Sequence, residues 1–266
     1  MKKDTMIFAL LLAVSTFFSA CEKENIDSPP FEALDPQVPS TPTNTVSDDR
    51  MLLVLKAPSL EEMQYEGLDA QTFTEILDFT INYANSVIGK DNVVVVCEPA
   101  TKAYLSGRLP EDIILVGGIN HIWMRDFTVV NPYAPVQFDY TDATMSRSES
   151  NLVQATWTNF ANLHNLDFSA TDYELDGGNI VDDYDGRVIT TTRFLEDNNL
   201  SYAEGVQVLK ELLGATEVGI IPPDEDALAH SDGMVMWAEK NVLLVNDFSF
   251  DPQLRQGVMT ELNRAF

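Results

Sequence analysis

The stretch Tyr173–Leu195, YELDGGNIVDDYDGRVITTTRFL, predicts two strands joined by tight turns and determines how the rest of the chain is interpreted. Apolar residues lead into the Asp185-Gly186 dipeptide, which is typical of a hairpin turn. The β-branched run Val188–Thr192 predicts the returning strand. Asp176 stands just before Gly177-Gly178, so we expect its carboxylate at a strand end, facing a space that two residues without side chains leave open to close approach.

Within this stretch, ELDGGN resembles the E-x-[ED]-G-G-N motif of the agmatine deiminase and Porphyromonas-type peptidylarginine deiminase family, whose members modify guanidino groups. The D-G hairpin and the T-T-x-x-L pattern that follow agree with this resemblance. It implies that Asp176, Gly177, Gly178 and Asn179 bind substrate. From the residues alone, an ordinary acidic hairpin is an equal alternative, so the resemblance depends on further motifs.

A second motif, Asn120–Asp126 with the sequence NHIWMRD, resembles the family's N-D-x-W-x-R-D pattern. The resemblance implies that Asp126 binds the substrate guanidinium and that Trp123 and Arg125 also contact substrate. The family continues with Gly-Pro, whereas Phe127-Thr128 follow here. Taken alone, the same residues are also compatible with a surface ion pair beside a core tryptophan.

A third motif, His230–Gly233 with the sequence HSDG, resembles the family's G-H-x-D pattern, with Ala229 where glycine is common. Residues two apart in an extended segment face the same side, so we expect His230 and Asp232 to face one pocket. The other histidines, His121 and His164, have no such neighbours and are interpreted as non-catalytic.

The three motifs occur in the family's order and together suggest a site for a guanidino group. A guanidinium is planar, remains protonated and presents N–H donors in a fork that carboxylates match. Asp126 and Asp232 are the predicted carboxylates, with Asp176 as a third. The resemblance implies that a cysteine thiolate attacks the central carbon, ammonia leaves and His230 transfers protons. These residues imply no metal and no organic cofactor.

The nucleophilic cysteine of the family lies near its C-terminus, beyond the position of Phe266. The only cysteines in the sequence are Cys21 and Cys97, which excludes a disulfide framework once Cys21 is lipidated. Cys97 ends the apolar run VVVVC and is predicted to be a small buried hydrophobe rather than a nucleophile. The helical pattern that reaches Phe266 has no stop signal. We therefore expect a truncated member of the family that lacks its last module: a fragment, a mis-called gene or a decayed copy.

The N-terminal segment has the features of an export signal. Lys2-Lys3 precede the apolar run Met6–Phe18, which is too short to span a membrane, and small residues stand before Cys21. The pattern resembles a bacterial lipobox, which predicts a signal peptide over 1–20 and lipidation of Cys21; a plain secretory signal is the alternative. Residues 21–50 are rich in proline and polar residues and predict a disordered tether. The predicted location is the periplasmic face or the cell surface, held by a lipid anchor.

Residues 51–266 are enough for one domain with a sizeable core. The net charge of the chain is −26, and removal of Lys2, Lys3 and Asp4 with the signal peptide (a net +1) leaves −27. Such a charge argues against nucleic acid and against direct docking on anionic lipid. It favours cationic ligands by long-range attraction, and the family resemblance implies that the cation is agmatine or a peptide arginine. Nothing in the sequence indicates the oligomeric state.

Strands and helices alternate along this domain, a pattern typical of α/β proteins, for which a doubly wound sheet is the default. The resemblance instead implies the pentein fold, in which five ββαβ-type modules surround a pseudo-fivefold axis with the site at the centre. The predicted strands outside the first motif are Met51–Leu55, Val93–Cys97, Ile113–Val116, Glu217–Ile221, Met234–Ala238 and Val242–Val245. The predicted helices are Asp69–Ile88, Ala100–Leu105, Leu152–Leu163, Tyr202–Leu213 and Pro252–Phe266.

The leading hypothesis is a lipoprotein of the deiminase family. The complete enzyme would convert agmatine to N-carbamoylputrescine, or an arginine residue to citrulline, with release of ammonia. A second hypothesis is a non-catalytic, membrane-tethered receptor for guanidinium compounds. A third is an amidinotransferase or a dimethylarginine hydrolase, which the forms of the first two motifs disfavour.

Overall fold

The computed structural model describes residues 50–59, 69–131, 133–224 and 228–266. The predicted signal peptide, Cys21 and nearly all of the predicted tether lie outside these ranges. Within them, no helix combines the length and the apolar character needed to cross a membrane.

The described strands and helices follow the alternation that the sequence predicts. The strands are β1 Leu52–Lys56, β2 Asn92–Cys97, β3 Ile114–Val116, β4 Val129–Val130, β5 Val136–Asp139, β6 Ser169–Glu174, β7 Val181–Asp182, β8 Arg187–Thr191, β9 Glu217–Ile221, β10 Val235–Glu239 and β11 Val242–Val245. The helices are α1 Ala70–Val87, α2 Pro99–Leu105, α3 Met124–Phe127, α4 Arg147–Leu163, α5 Arg193–Asp197, α6 Tyr202–Leu213 and α7 Pro252–Ala265, and Glu111–Ile113 and Gly177–Asn179 form short 3₁₀ turns.

These strands form four small sheets, so the predicted α/β class is confirmed and the doubly wound default is wrong. The sheets have the orders β1-β2-β3, β4-β5-β6, β7-β8-β9 and β10-β11. In the second and third sheets, two antiparallel strands are followed by helical structure and then by a strand parallel to the middle one. β10, β11 and α7 begin the same order again. The second and third sheets are therefore ββαβ units, whereas the three strands of the first sheet are all parallel.

The capping residues at the helix ends explain where the observed helix bounds agree with the predicted ones and where they differ. Asp69 caps α1 by accepting from the backbone N–H of Thr72 at 2.8 Å. α4 begins before the predicted Leu152 because Ser146 and Glu149 form a capping box. The elements that the sequence did not predict are α3, β4, β5 and α5, which are too short to show a period.

One hydrophobic cluster packs α1 and α2 against the first sheet, and the others lie between consecutive units. Phe127 and Tyr140 belong to a cluster that joins β2 to the unit of β4–β6. Phe138 and Phe194 meet edge to face, with ring centroids 6.3 Å apart, in the cluster that joins that unit to the next. Met234 belongs to the cluster between β7–β9 and β10–β11. Each unit thus buries its apolar surface against its neighbour in the chain.

The links between units carry the three sequence motifs. α3 lies between β3 and β4, the Gly177–Asn179 turn between β6 and β7, and His230 between β9 and β10. The expected extended segment from His230 to Asp232 is wrong, because the backbone turns from Ser231 onward: the N–H groups of Met234 and Val235 both donate to the carbonyl of Ser231, at 3.0 and 2.9 Å.

Asn179 fastens two of these links together. Its side chain is only 3% exposed, and its Oδ1 accepts from the backbone N–H of Thr191 at 3.0 Å and of Ser231 at 3.2 Å. One amide therefore joins the glycine turn, the end of β8 and the segment that carries His230.

We expect Asn179→Ala to lower the free energy of unfolding by about 2–5 kcal/mol, because two buried N–H donors lose their acceptor. Urea unfolding followed by circular dichroism measures the change. Asn263→Ala is the control, since Asn263 is exposed and donates to the carbonyl of Met259 in its own helix, α7, and its effect should stay within about 0.5 kcal/mol. Equal effects of the two variants would show that Asn179 does not fasten the links.

Candidate active site

The three links bring two carboxylates and an imidazole together. One ligand atom from each of Asp126, Asp176 and His230 lies within 4.8 Å of the others, and all three residues are partly buried. Asp126 comes from α3, Asp176 stands just after β6, and His230 comes from the turn before β10. The cluster thus joins the motifs that the sequence singled out separately.

His230 lies between two acidic side chains. Its Nε2 is 3.0 Å from Asp176 Oδ2, and its Nδ1 is 3.9 Å from Asp232 Oδ1. The first contact is an ion pair rather than an aligned hydrogen bond, because Nε2 has no hydrogen-bond partner among the described residues despite the short distance. The Asp232 side chain is 43% exposed, whereas the Asp176 side chain is 10% exposed. Asp176 is therefore the more enclosed partner of the histidine.

The glycine pair makes room for the site's own atoms. A Cβ on Gly177 would stand 2.0 Å from the carbonyl oxygen of Arg125, and one on Gly178 would stand 2.4 Å from His230 Nδ1 and 2.9 Å from Asp126 Oδ1. Gly178 also accepts, through its carbonyl, the backbone N–H of Asp232 at 3.2 Å. The second glycine is thus required for the histidine and the carboxylate to approach each other.

The departure from the family pattern at Ala229 has a backbone consequence. Ala229 has a φ of 55°, in the left-handed region where glycine is favoured and an alanine is disfavoured by roughly 1 kcal/mol. Its carbonyl accepts from Thr191 Oγ1 at 2.9 Å, which holds the segment against β8. The alanine is therefore accommodated at the position where relatives carry glycine.

Other predicted site residues are placed around the cluster. Trp123 stands at the N-terminal end of α3 and is 50% exposed, so it is not a core residue. The Arg125 guanidinium donates to the carbonyl of Ile180, which ties α3 to the segment after the glycine turn. Burial raises the pKa of Asp182 to about 6, an effect that the positive charge of Arg125 opposes. These contacts give Arg125 a structural role in addition to the predicted contact with substrate.

The carboxyl groups of Asp126 and Asp232 hold their protons more tightly than ordinary acids, because the pKa of each is raised. Burial, followed by the negative charge of Asp176, raises the pKa of Asp126 to about 8. Burial also raises the pKa of Asp232, which the nearby His230 opposes. Two like charges in one enclosed space cannot both ionise without a cation beside them. The cluster therefore favours a positive charge beside the two carboxylates.

His230 supplies one such charge. Burial lowers the pKa of its imidazole, but the carboxylates of Asp176, Asp126 and Asp232 together outweigh burial and raise the pKa to about 9. The ring is therefore charged at neutral pH, with N–H donors at both nitrogens. As pH rises through 9, that charge and the stability it contributes are lost.

The arrangement is suited to bind a small cation beside a proton donor. Asp126 and Asp176 offer carboxylate oxygens, and His230 can transfer a proton to a leaving group. The same three side chains have the atom types of a divalent metal site, although the sequence motifs implied no metal. Cys97 is fully buried in β2 and burial raises its pKa, so it is not an attacking thiolate.

Comparisons with known proteins agree with this geometry. The model of the family of Porphyromonas-type peptidyl-arginine deiminases matches residues 51–263. An agmatine deiminase from C. jejuni superposes with a TM-score of 0.63 at 18% identity, over 81% of this chain and 68% of that one. A cysteine-to-serine variant of C. jejuni agmatine deiminase with substrate bound gives 0.60 at 18% identity, over 81% and 68% of the chains.

A third solved structure, the agmatine deiminase of Enterococcus faecalis, gives a TM-score of 0.62 at 15% identity, over 82% of this chain and 64% of that one. A search of curated proteins finds no match to the sequence. At these identities the structural likeness concerns the fold alone. That fold is the pentein fold, so the prediction made from the motifs is confirmed and the doubly wound alternative is excluded.

We expect Asp176→Asn to lower the pKa of His230 by more than about one unit, because the imidazolium loses the carboxylate 3.0 Å away. Titration of the His230 ring protons by NMR measures this shift. Asp185→Asn, which changes an exposed turn residue paired with Lys240, should leave the His230 titration in place. An unchanged His230 pKa in Asp176→Asn would contradict the electrostatic description of the site.

We expect Gly178→Ala to displace the His230 ring, because the added methyl group would overlap it. The Asp126–His230 approach would then be lost, and the ring resonances and pKa of His230 would change. Gly118→Ala is the matched control, because a Cβ at Gly118 meets no atom within 4 Å. Identical His230 spectra for both variants would show that the Gly178 position tolerates a side chain.

Proposed function

Because this chain belongs to the Porphyromonas-type peptidyl-arginine deiminase family, which is a family of guanidino-group hydrolases, we propose that it recognises a guanidino group through Asp126, Asp176 and His230. The observation that carries the proposal is the convergence of three separate links on one enclosed, acidic cluster. The substrate class is agmatine or an arginine residue of a peptide.

Binding follows from the charges of the cluster. A guanidinium placed between Asp126 and Asp176 would supply the positive charge that the two carboxylates lack. It would also satisfy their oxygens through paired N–H donors. Asp126 would then release its proton, because the cation removes the repulsion that raises its pKa. Asp232, which is more exposed, would contribute a weaker third contact at the rim.

Hydrolysis would require the thiolate of a cysteine other than Cys97, the cysteine among the described residues. A sulfur–carbon bond would form at the central carbon, and the bond to one terminal nitrogen would break as that nitrogen leaves as ammonia. The charged His230 would provide the proton for this leaving group. The neutral imidazole would next take a proton from water, whose oxygen displaces the sulfur and leaves a ureido product. Agmatine would give N-carbamoylputrescine, and an arginine residue would give citrulline.

A second candidate function is binding without turnover. It is favoured by a specific contrast: the cation-binding groups are assembled, whereas Cys97 is buried in a sheet and holds its proton. Ammonia release distinguishes the two functions, since a receptor would bind agmatine and release none.

We also propose that the protein acts outside the cytoplasm, held by a lipid on Cys21 through the tether of residues 21–50. The basic start, the apolar run and the small residues before Cys21 support this location. Metabolic labelling with a fatty acid would test it, with Cys21→Ala as the unlabelled control.

We expect Asp126→Asn to weaken agmatine binding by about 2–5 kcal/mol, because an enclosed ionic partner is lost. Isothermal titration calorimetry measures the affinity, with N-acetyl-arginine amide as the peptide-like ligand. Asp185→Asn, in an exposed turn, should bind like the wild type. Equal affinities for wild type and Asp126→Asn would remove Asp126 from the site.

The same substitution should stabilise the protein without ligand at alkaline pH. The raised pKa of Asp126 means that its ionised form opposes folding, so its effect grows as pH rises from the ordinary value of 3.8 through about 8. Asparagine cannot ionise, and Asp126→Asn should therefore raise the melting temperature above about pH 8. A lower melting temperature at that pH would contradict the assignment of a buried, repelled carboxylate.

A further inference from the structure

His121 occupies a position at which the chain departs from its family. In the N-D-x-W-x-R-D pattern the residue two places before the tryptophan is aspartate, and here it is His121. The sequence pattern predicts that this histidine is non-catalytic. The structure places it 7% exposed, immediately before the turn that leads into α3.

The imidazole makes the contact that an aspartate side chain makes in such a turn. The backbone N–H of Trp123 donates to His121 Nδ1 at 3.3 Å. An aspartate or asparagine commonly accepts the N–H of the residue two places later, which fixes a turn without any regular structure. Since Nδ1 accepts, the neutral ring carries its proton on Nε2.

The turn held in this way sets the start of α3. The N–H of Met124 donates to the carbonyl of Ile122 at 2.8 Å, and the N–H of Asp126 donates to the carbonyl of Trp123 at 3.0 Å. The residue that receives the His121 contact therefore also anchors the backbone of Asp126. A shift at Trp123 would be passed on to the carboxylate that enters the site.

The surroundings of His121 favour the neutral ring. Its ring meets the Phe127 ring edge to face, with centroids 6.0 Å apart. Burial lowers the pKa of His121; the negative charges of Asp142 and Asp176 oppose this, and the positive charge of Lys56 adds to it. Protonation would place a hydrogen on Nδ1, facing the N–H of Trp123, and would remove the acceptor.

We propose that neutral His121 is a positioning residue for guanidino recognition, whose Nδ1 holds the Trp123 N–H and thereby fixes the turn that brings Asp126 into the site. The inference rests on the proposed function, because it assigns His121 to the same site. His121 contacts no substrate in this scheme and acts through the backbone of α3.

Two variants distinguish the effect of losing the Nδ1 acceptor from the effect of losing the volume of the ring. His121→Asn keeps a neutral acceptor for the Trp123 N–H, whereas His121→Phe keeps an aromatic ring of similar size without one. We expect His121→Phe to weaken agmatine binding by about tenfold, the effect of one lost hydrogen bond in a positioning turn, and His121→Asn to restore most of the affinity. Calorimetry at about pH 7, where a histidine with a lowered pKa is neutral, measures both.

NMR spectra report the protonation of the His121 ring directly, in addition to the affinities. Long-range nitrogen–proton NMR spectra of the wild-type ring should show the proton on Nε2, and the Trp123 amide resonance should move when His121 is protonated. A proton on Nδ1 at neutral pH would overturn the proposal, as would wild-type affinity in His121→Phe. Equal losses in both variants would also overturn it, because bulk rather than the acceptor would then matter.

The failure of the two ideas can be told apart. If the wild type binds no agmatine and no arginine amide, the proposed function fails and the role of His121 in recognition fails with it. If the wild type binds and His121→Phe binds equally well, only the role of His121 fails.

Discussion

The repulsion between buried carboxylates is the constraint on which the site depends. Asp126 and Asp176 share one enclosed space with His230. Burial and the negative charge of Asp176 raise the pKa of Asp126 to about 8, so Asp126 stays protonated at neutral pH. Buried charges that lack full compensation are costly to a fold. The arrangement is explained if a cationic ligand completes it, since a guanidinium would supply both the charge and the hydrogen-bond donors.

The fold accommodates these charges because its apolar and polar residues lie in different segments. Apolar cores between neighbouring sheets hold the units together, and the links between units carry the polar groups. Each of the three motifs lies in such a link, so one structural position recurs around the site. Within it, Asn179 joins two links through backbone N–H groups, and Gly178 allows His230 and Asp126 to approach. The apolar cores thus join neighbouring units, and the links both tie the units to one another and present the polar groups of the site.

The sequence predicted the long elements well, because their signals are local. The range Tyr202–Leu213 for α6 and the stop at Gly214 follow from a capping box, helical spacing and a glycine in the left-handed region. Periodicity could not show which strands pair, so the default sheet was wrong and only the resemblance indicated the pentein closure. The turn at His230 and the short α3 carry no period, and the anchoring of Arg125 to Ile180 depends on residues far apart in the chain. The motifs predicted that Asp126, Asp176 and His230 belong to one site, whereas the distances between these side chains follow only from the fold.

The most direct test of the account is the number of protons released when agmatine binds, measured by titration calorimetry in buffers of different ionisation enthalpy. Because Asp126 holds its proton at neutral pH when no ligand is bound, we expect net proton release on binding at about pH 7, and its loss in Asp126→Asn. Binding without proton release, or release that persists in Asp126→Asn, would contradict the claim that a ligand cation replaces the proton held by this cluster.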